Sequence, residues 1–221
     1  MMKKTALLLL TISFSITAFA QKPLHISVKA GLSFPKFITN NDAIAYDGGG
    51  ISENNVNPSF YFGATINIAL TKNTFFQPGF TIIGKGTKAS YSSFLISQTS
   101  GKINLLYFEI PANAITYIPV GKGKVFLGLG PYAGAALSGT AKYTSTNTDE
   151  VGPDKQNIKF GADQDFKRFD FGGNALAGYQ LSNGLNIHGG VSASAFKISN
   201  SKDTYLKARN LVYSVGLGLS L

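Results

Sequence analysis

Apolar and polar residues alternate along most of this chain. In the clearest stretch, Ile26 and Val28 flank Ser27, and the period of two continues to Phe34. The same alternation recurs in eight segments: 24–34, 60–70, 76–82, 106–114, 125–135, 169–180, 185–195 and 211–221. Because successive side chains of a β-strand point to opposite faces, the pattern predicts strands and not helices.

The connections between the segments alternate in length. Three are tight, at 71–73, 121–124 and 182–184, and four are longer, at 35–57, 87–102, 142–167 and 199–207. Such alternation around an even number of strands is typical of bacterial outer-membrane barrels, with short turns and termini in the periplasm and long loops outside. Only closure satisfies every backbone group of spanning strands. The sequence therefore predicts an all-β, eight-stranded antiparallel up-and-down transmembrane β-barrel in the bacterial outer membrane.

A soluble periplasmic β-barrel, with its apolar face turned inward, is the alternative fold. Its exterior would carry charged residues, whereas the polar face here consists chiefly of Gly, Ser, Thr and Asn. Charged residues make up 14% of the chain, against about 25% in ordinary soluble domains. After the N-terminus no run approaches about 18 apolar residues, which excludes a helical membrane protein.

The N-terminus predicts a signal peptide that is removed on export. Lys3 and Lys4 precede an apolar run at 6–12, and an A-x-A pattern ends at Ala20. This order of a basic, an apolar and a small-residue region is that of a secretory signal. We expect cleavage between Ala20 and Gln21.

Cleavage there divides the chain into a signal peptide, 1–20, and an outer-membrane β-barrel domain, 21–221. Intact-mass spectrometry of the protein from the outer-membrane fraction is expected to give a chain that begins at Gln21. A mass that includes residues 1–20 would contradict the prediction.

Charge and cysteine content exclude several classes of protein. The formal net charge is +9, and loss of Lys3 and Lys4 lowers it by two, to +7. The remaining basic residues are scattered and form no single stripe; six of them, Lys72, Lys122, Lys124, Lys155, Lys202 and Lys207, fall in predicted turns or loops. This distribution predicts a solvated, weakly basic rim and no nucleic-acid partner. The absence of cysteine excludes disulfide frameworks, zinc–thiolate sites and iron–sulfur clusters.

The interior of so small a barrel is just wide enough to be filled by side chains. The polar candidates for that interior are Lys29, Lys85, Glu109, Arg168, Asp170, Lys197 and Arg209. Buried charges must be paired or hydrated, so we expect structural pairs, with Glu109–Lys29 and Asp170–Arg209 as candidates. A gated path for small ions is the alternative.

The two histidines argue against an enzyme. A serine nucleophile needs a neighbouring base, and His25 and His188 both fall near the predicted periplasmic end, away from the outer-leaflet lipid A. Ser192 and Ser194 share a face with His188, as expected by chance in a strand of small residues. The acidic loop at 163–165 lacks the spacing of a calcium loop. We predict no catalytic residue, no cofactor and no metal site.

The C-terminal segment SVGLGLSL reads polar-x-Gly-x-x-hydrophobic-x-hydrophobic, with Ser214, Gly216, Leu219 and Leu221 at the defining positions. It is similar to the terminal-strand signal that the outer-membrane assembly machinery recognises, although Leu219 and Leu221 stand where aromatic residues are usual. We expect the assembly machinery and outer-membrane lipid as partners.

Six short strand-and-turn patterns stand out along the chain: FQP at 76–78, GKG at 84–86, LYFEIP at 106–111, FLGLGPY at 126–132, DFG at 170–172 and GY at 178–179. Together they resemble the PorT-like outer-membrane β-barrel family of Bacteroidetes. The resemblance implies an outer-membrane protein with an eight-stranded barrel.

The expected function is a non-enzymatic, structural or interaction role, with a protein partner at the long extracellular loops. Exposed loops on a rigid scaffold commonly carry such contacts. A lumen that binds a small ligand or conducts ions is the alternative function.

Overall fold

The computed structural model describes residues 25–38, 51–92, 98–145, 154–200 and 208–221. The predicted signal peptide, with its cleavage site between Ala20 and Gln21, lies outside these residues. In the described part of the chain, no helix is long and apolar enough to cross a membrane.

The residues that the structure describes form ten strands. They are β1 (His25–Ile38), β2 (Ile51–Asn55), β3 (Ser59–Ala69), β4 (Thr74–Ser92), β5 (Gln98–Val120), β6 (Gly123–Ser145), β7 (Asp154–Asn157), β8 (Phe169–Gln180), β9 (Leu185–Ser194) and β10 (Arg209–Ser220). Each of the eight predicted segments corresponds to one long strand, and β2 and β7 are short additions.

The long strands close into a ring. The order β4-β3-β1-β10-β9-β8-β6-β5 is completed by pairing of β4 with β5, so every long strand has two neighbours. All of these pairings are antiparallel. The first and last strands meet along a seam from Ser27 opposite Ser220 to Ile38 opposite Arg209. The predicted eight-stranded antiparallel barrel is confirmed.

Apolar side chains cover the outside of the ring and polar ones line the inside. On β1, Ile26 and Val28 are 48% and 45% exposed, whereas Ser27 between them is buried. Other exposed exterior residues include Leu32, Phe60, Phe62, Ile110, Leu127, Leu129, Phe169, Phe171, Ile187 and Leu217. This orientation suits an exterior in contact with lipid. It is opposite to the inward apolar face that a soluble barrel requires.

The two ends of the barrel differ. The turn end carries the short connections, where Gly121 and Gly184 have φ of 63° and 88°, a region that glycine adopts without strain. At the opposite, loop end, β5 and β6 are 23 residues each, about twice the 9–11 that a spanning strand needs. Strands β2 and β7 pair with the extended ends of β4 and β6.

These extensions correct the predicted loop boundaries, since strands occupy 87–92 and 98–102 of one connection and 142–145 and 154–157 of another. Beyond the lipid the outer face of a strand meets water and is no longer apolar, so the sequence loses the apolar–polar alternation that would reveal the strand.

Candidate functional site: the barrel interior

A lysine with two carboxylate partners occupies the middle of the interior. Lys85 of β4 is 1% exposed. Its Nζ lies 2.6 Å from Glu109 Oε1 of β5 and 2.7 Å from Asp170 Oδ2 of β8. The Nζ also lies 4.6 Å from the ring centroid of Tyr132 and 4.9 Å from that of Tyr107. Burial of these charges is tolerable because cation and anions are in direct contact.

Neutral donors surround one of the two carboxylate oxygens of Asp170. Its Oδ2 accepts hydrogen bonds from Asn210 Nδ2 at 2.9 Å and from the Tyr132 hydroxyl at 3.3 Å. The backbone N–H of Asn210 donates in turn to Ser194 Oγ. We call Lys85, Glu109, Asp170, Tyr132 and Asn210 the ion-pair cluster; it joins strands β4, β5, β6, β8 and β10.

Some of the predicted interior residues lie inside the barrel and others do not. Lys29, Glu109 and Asp170 face inward, but both carboxylates contact Lys85 and not Lys29 or Arg209. Because β4 and β8 are not adjacent, this contact across the lumen depends on strand register and could not be predicted from alternation alone.

Two expected interior residues lie elsewhere. Arg168 precedes β8, is exposed, and donates to the carbonyl oxygen of Phe160 at 3.4 Å. Arg209 shares the parity of Leu211 and Tyr213, so it belongs to the exterior face of β10. Alternation assigns a residue to the inner or the outer face only when its position is counted, in steps of two, from a residue of known face in the same strand.

Apolar side chains fill the loop-end part of the interior, and three of them, Tyr61, Ile83 and Val212, also border the cavity at the turn end. The buried members are Phe37, Tyr61, Ile83, Leu105, Tyr107, Ala136, Ile198, Ala208 and Val212, with Ile103, Ile158, Phe160 and Phe166 packed against them. Phe166 comes from the segment after β7, and its ring centroid is 6.0 Å from that of Phe37. This apolar plug closes the interior toward the loop end.

A cavity of about 110 Å³, lined by both polar and apolar side chains, occupies the turn-end half. Its lining includes Ser27, Lys29, Thr65, Gln77, Asn113, Asn174, Asn186, His188, Ser192, Ser214 and Ser220. The volume suits a few water molecules or one small polar ligand.

Both nitrogens of His188 are engaged in this cavity. Nδ1 lies 2.9 Å from Asn186 Oδ1, and Nε2 lies 2.7 Å from the Tyr61 hydroxyl. Because an amide oxygen only accepts, Nδ1 carries the proton and Nε2 accepts from Tyr61. Neither Ser192 nor Ser194 is bonded to this histidine.

The acidic loop is held by backbone contacts. Asp165 Oδ2 accepts a hydrogen bond from the backbone N–H of Lys159 at 3.0 Å. Within the described ranges, no group of three or more His, Asp or Glu side chains is placed to hold a metal ion.

The C-terminal strand carries the predicted assembly residues on both faces. Ser214 and Gly216 face the interior, while Leu219 and Leu221 are exposed on the outside. A Cβ on Gly216 would overlap the Tyr61 hydroxyl and the carbonyl oxygen of Ala30. Only glycine therefore fits at this point of the β1–β10 seam.

The sequence matches the family model of the outer membrane protein beta-barrel domain over residues 19–196. No curated protein matches the chain.

Several solved structures are similar. The attachment invasion locus protein Ail of Yersinia pestis is 12% identical, with 90% of this chain and 100% of that chain covered and a TM-score of 0.41. Neisserial surface protein A is 13% identical, with 90% and 100% covered and a TM-score of 0.43. OprG from Pseudomonas aeruginosa is 13% identical, with 90% and 97% covered and a TM-score of 0.43. Identity this low says nothing about a shared ligand or partner.

Proposed function

Because the chain belongs to the family of outer membrane protein β-barrel domains, we propose that it is a closed, non-enzymatic barrel that presents its extracellular strands and loops to a protein partner. It lies in the bacterial outer membrane. In such barrels short turns face the periplasm and longer loops face outward, so the loop end is the extracellular end.

The filled interior carries this proposal. The ion-pair cluster spans the lumen, and the apolar plug fills the space beyond it toward the loop end. A path for water or ions would have to break contacts of 2.6 and 2.7 Å around a lysine that is 1% exposed. A lumen blocked in this way favours a role at the surface of the barrel over conduction.

The extended strands supply that surface. Strands β4, β5 and β6 continue past the apolar exterior band and gain β2 and β7 as further neighbours. This sheet is a rigid support for the connections between strands, and binding residues are commonly found on loops held by such scaffolds.

In planar bilayers we expect the purified barrel to give no discrete conductance steps, because the ion-pair cluster and the plug block the lumen. A general porin inserted under the same conditions serves as the positive control. Conductance steps that disappear in Glu109→Leu and persist in Lys122→Gln, a change in an exposed turn, would support the ion-conducting lumen instead.

The interaction role is tested with the barrel held in lipid nanodiscs. A second version has short Gly-Ser linkers in place of 39–50 and 146–153. Cell-surface proteins captured by the first and not by the second would support loop contacts. Equal capture by the two versions would contradict loop contacts. Both versions must change gel position equally on boiling, which shows that both are folded.

A barrel that holds a small polar ligand is the second candidate, and the 110 Å³ cavity favours it. Lys29, Asn113 and His188 would supply charge and hydrogen bonds there. The cavity lies on the periplasmic side of the ion-pair cluster, so such a ligand would enter from the periplasm.

The proposal also covers the branch of the family to which the chain belongs and the way in which it reaches the membrane. Short patterns such as LYFEIP at 106–111 support membership of the PorT-like branch. The N-terminal pattern that ends at Ala20 supports export by a cleaved signal. The positions Ser214, Gly216, Leu219 and Leu221 support recognition by the barrel-assembly machinery.

A further inference from the structure

Four lysines that are far apart in the sequence lie in one row across the extended sheet. Lys88 of β4 is directly opposite Lys102 of β5. Lys102 is opposite Lys142 of β6, and Lys142 is opposite Lys155 of β7. With strands about 4.8 Å apart, this lysine row is about 14 Å long.

The lysine row lies on the outside of the barrel wall. Residues directly opposite one another in an antiparallel pair share a face. Lys102 has the parity of Ile110, which is exposed on the exterior, while Leu105 and Tyr107 of the other parity are buried inside. The other three lysines of the row are exposed.

The row has no carboxylate neighbour in the part of the chain whose side chains are described, where both ion pairs belong to Lys85. At the β2 edge, Asn55 is opposite Lys88, and Glu53 lies two residues further along β2 on the same face, diagonal to this end of the row. Like charges directly opposite one another destabilise a sheet. Three successive Lys–Lys pairs are therefore unfavourable in the isolated protein and become favourable when an anion with several charges binds across them.

The depth of the row indicates which anion is within reach. On β5, Lys102 is four residues beyond Leu106, the first apolar residue of the exterior face. At about 3.3 Å per residue and a tilt near 40°, the row lies about 10 Å above the edge of the hydrocarbon. The polar headgroups reach to roughly 5–8 Å above that edge, so the row lies just above them and its long lysine side chains can extend down to them.

We propose that the lysine row binds the phosphate groups of the phosphorylated glycolipid, lipid A, in the outer leaflet. Adjacent ammonium groups would share the phosphates, and each phosphate would remove the repulsion between two lysines. This contact is lateral and lies within the membrane layer, so it is independent of any partner at the loops and goes beyond the proposed function.

The test is binding of fluorescent lipid A by the full barrel in phosphatidylcholine vesicles. The chain has no cysteine, so Thr140→Cys provides one labelled position beside the row for energy transfer. Lys102→Gln/Lys142→Gln is expected to weaken binding about 25-fold, at about fivefold per lysine. Lys72→Gln/Lys122→Gln makes the same charge change at the turn end and should leave binding unchanged.

A second readout separates binding from a purely structural role. In zwitterionic detergent without lipid A, Lys102→Gln/Lys142→Gln should unfold at a higher temperature than the unsubstituted barrel, because repulsion is relieved. Addition of lipid A should reverse the order. Dephosphorylated lipid A should bind equally weakly to both proteins.

Three results would overturn the proposal. They are equal loss of binding in the two double variants, binding that persists after lipid A is dephosphorylated, and preference for a soluble sulfated oligosaccharide over lipid A. The last would identify the row as a site for a polyanion from outside the cell. None of these results depends on whether the lumen conducts.

Discussion

Replacement of Lys85 by methionine is expected to destabilise the folded barrel by about 3–5 kcal/mol, because it leaves buried carboxylates without their cation. Glu109 and Asp170 are both buried, and Lys85 is the cation in contact with each of them. Glu109 borders the cavity at the turn end, whereas Asp170 does not and is 2% exposed. The measurement is unfolding by guanidinium in detergent, followed by loss of the gel shift between unboiled and boiled samples.

Two further variants make the result specific. Lys122→Met, in an exposed turn, controls for loss of a lysine and should leave stability nearly unchanged. Lys85→Met combined with Glu109→Gln and Asp170→Asn should recover much of the loss, since replacement of a whole buried ion-pair group is often close to neutral. If Lys85→Met is as stable as Lys122→Met, the ion-pair cluster does not hold the interior together.

Gly216→Val is expected to prevent normal closure of the barrel, with a cost of about 3 kcal/mol, the upper part of the usual range for overpacking. A side chain here would overlap the Tyr61 hydroxyl and the backbone of Ala30. Because Ala30 is on β1, the overlap separates β1 from β10 along the seam. The fraction of protein that changes position on boiling measures closure.

Gly189→Val is the matched control for this variant. Gly189 lies on β9, and the nearest atom to an added Cβ there is the Ser214 carbonyl oxygen at 3.4 Å. The Gly189→Val variant should change its gel position on boiling to the same extent as the unsubstituted protein. A Gly216→Val barrel that closes to the same extent would show that Tyr61 and β1 can move to accommodate a side chain.

The strands and their faces could be predicted from the sequence because the lipid imposes a strict period of two. Local alternation alone is enough to place Ile26 and Val28 on the outer face and Ser27 on the inner face. Arg209 shows the limit of this reasoning. It follows a connection without a period, so its face is fixed only by counting back from Leu211 within the strand.

The partners of interior charges could not be predicted for a different reason. Lys85 contacts Asp170 across the lumen. The position of each residue along the barrel axis is set by the stagger of the strands that lie between them. The lysine row also results from strand register. Lys88, Lys102 and Lys142 appear scattered in the sequence, and register alone brings them side by side.

The ion-pair cluster also has a consequence for the order of assembly. Its charged members come from β4, β5 and β8, and the amide of Asn210 comes from β10. A sheet that has paired only β4 with β5 holds Lys85 and Glu109 on a face still open to water. Asp170 and then Asn210 complete the cluster only as the last strands arrive. Intermediates along this route lack the interior that stabilises the barrel, so folding of the chain should be cooperative, and fragments without β8 to β10 should not persist.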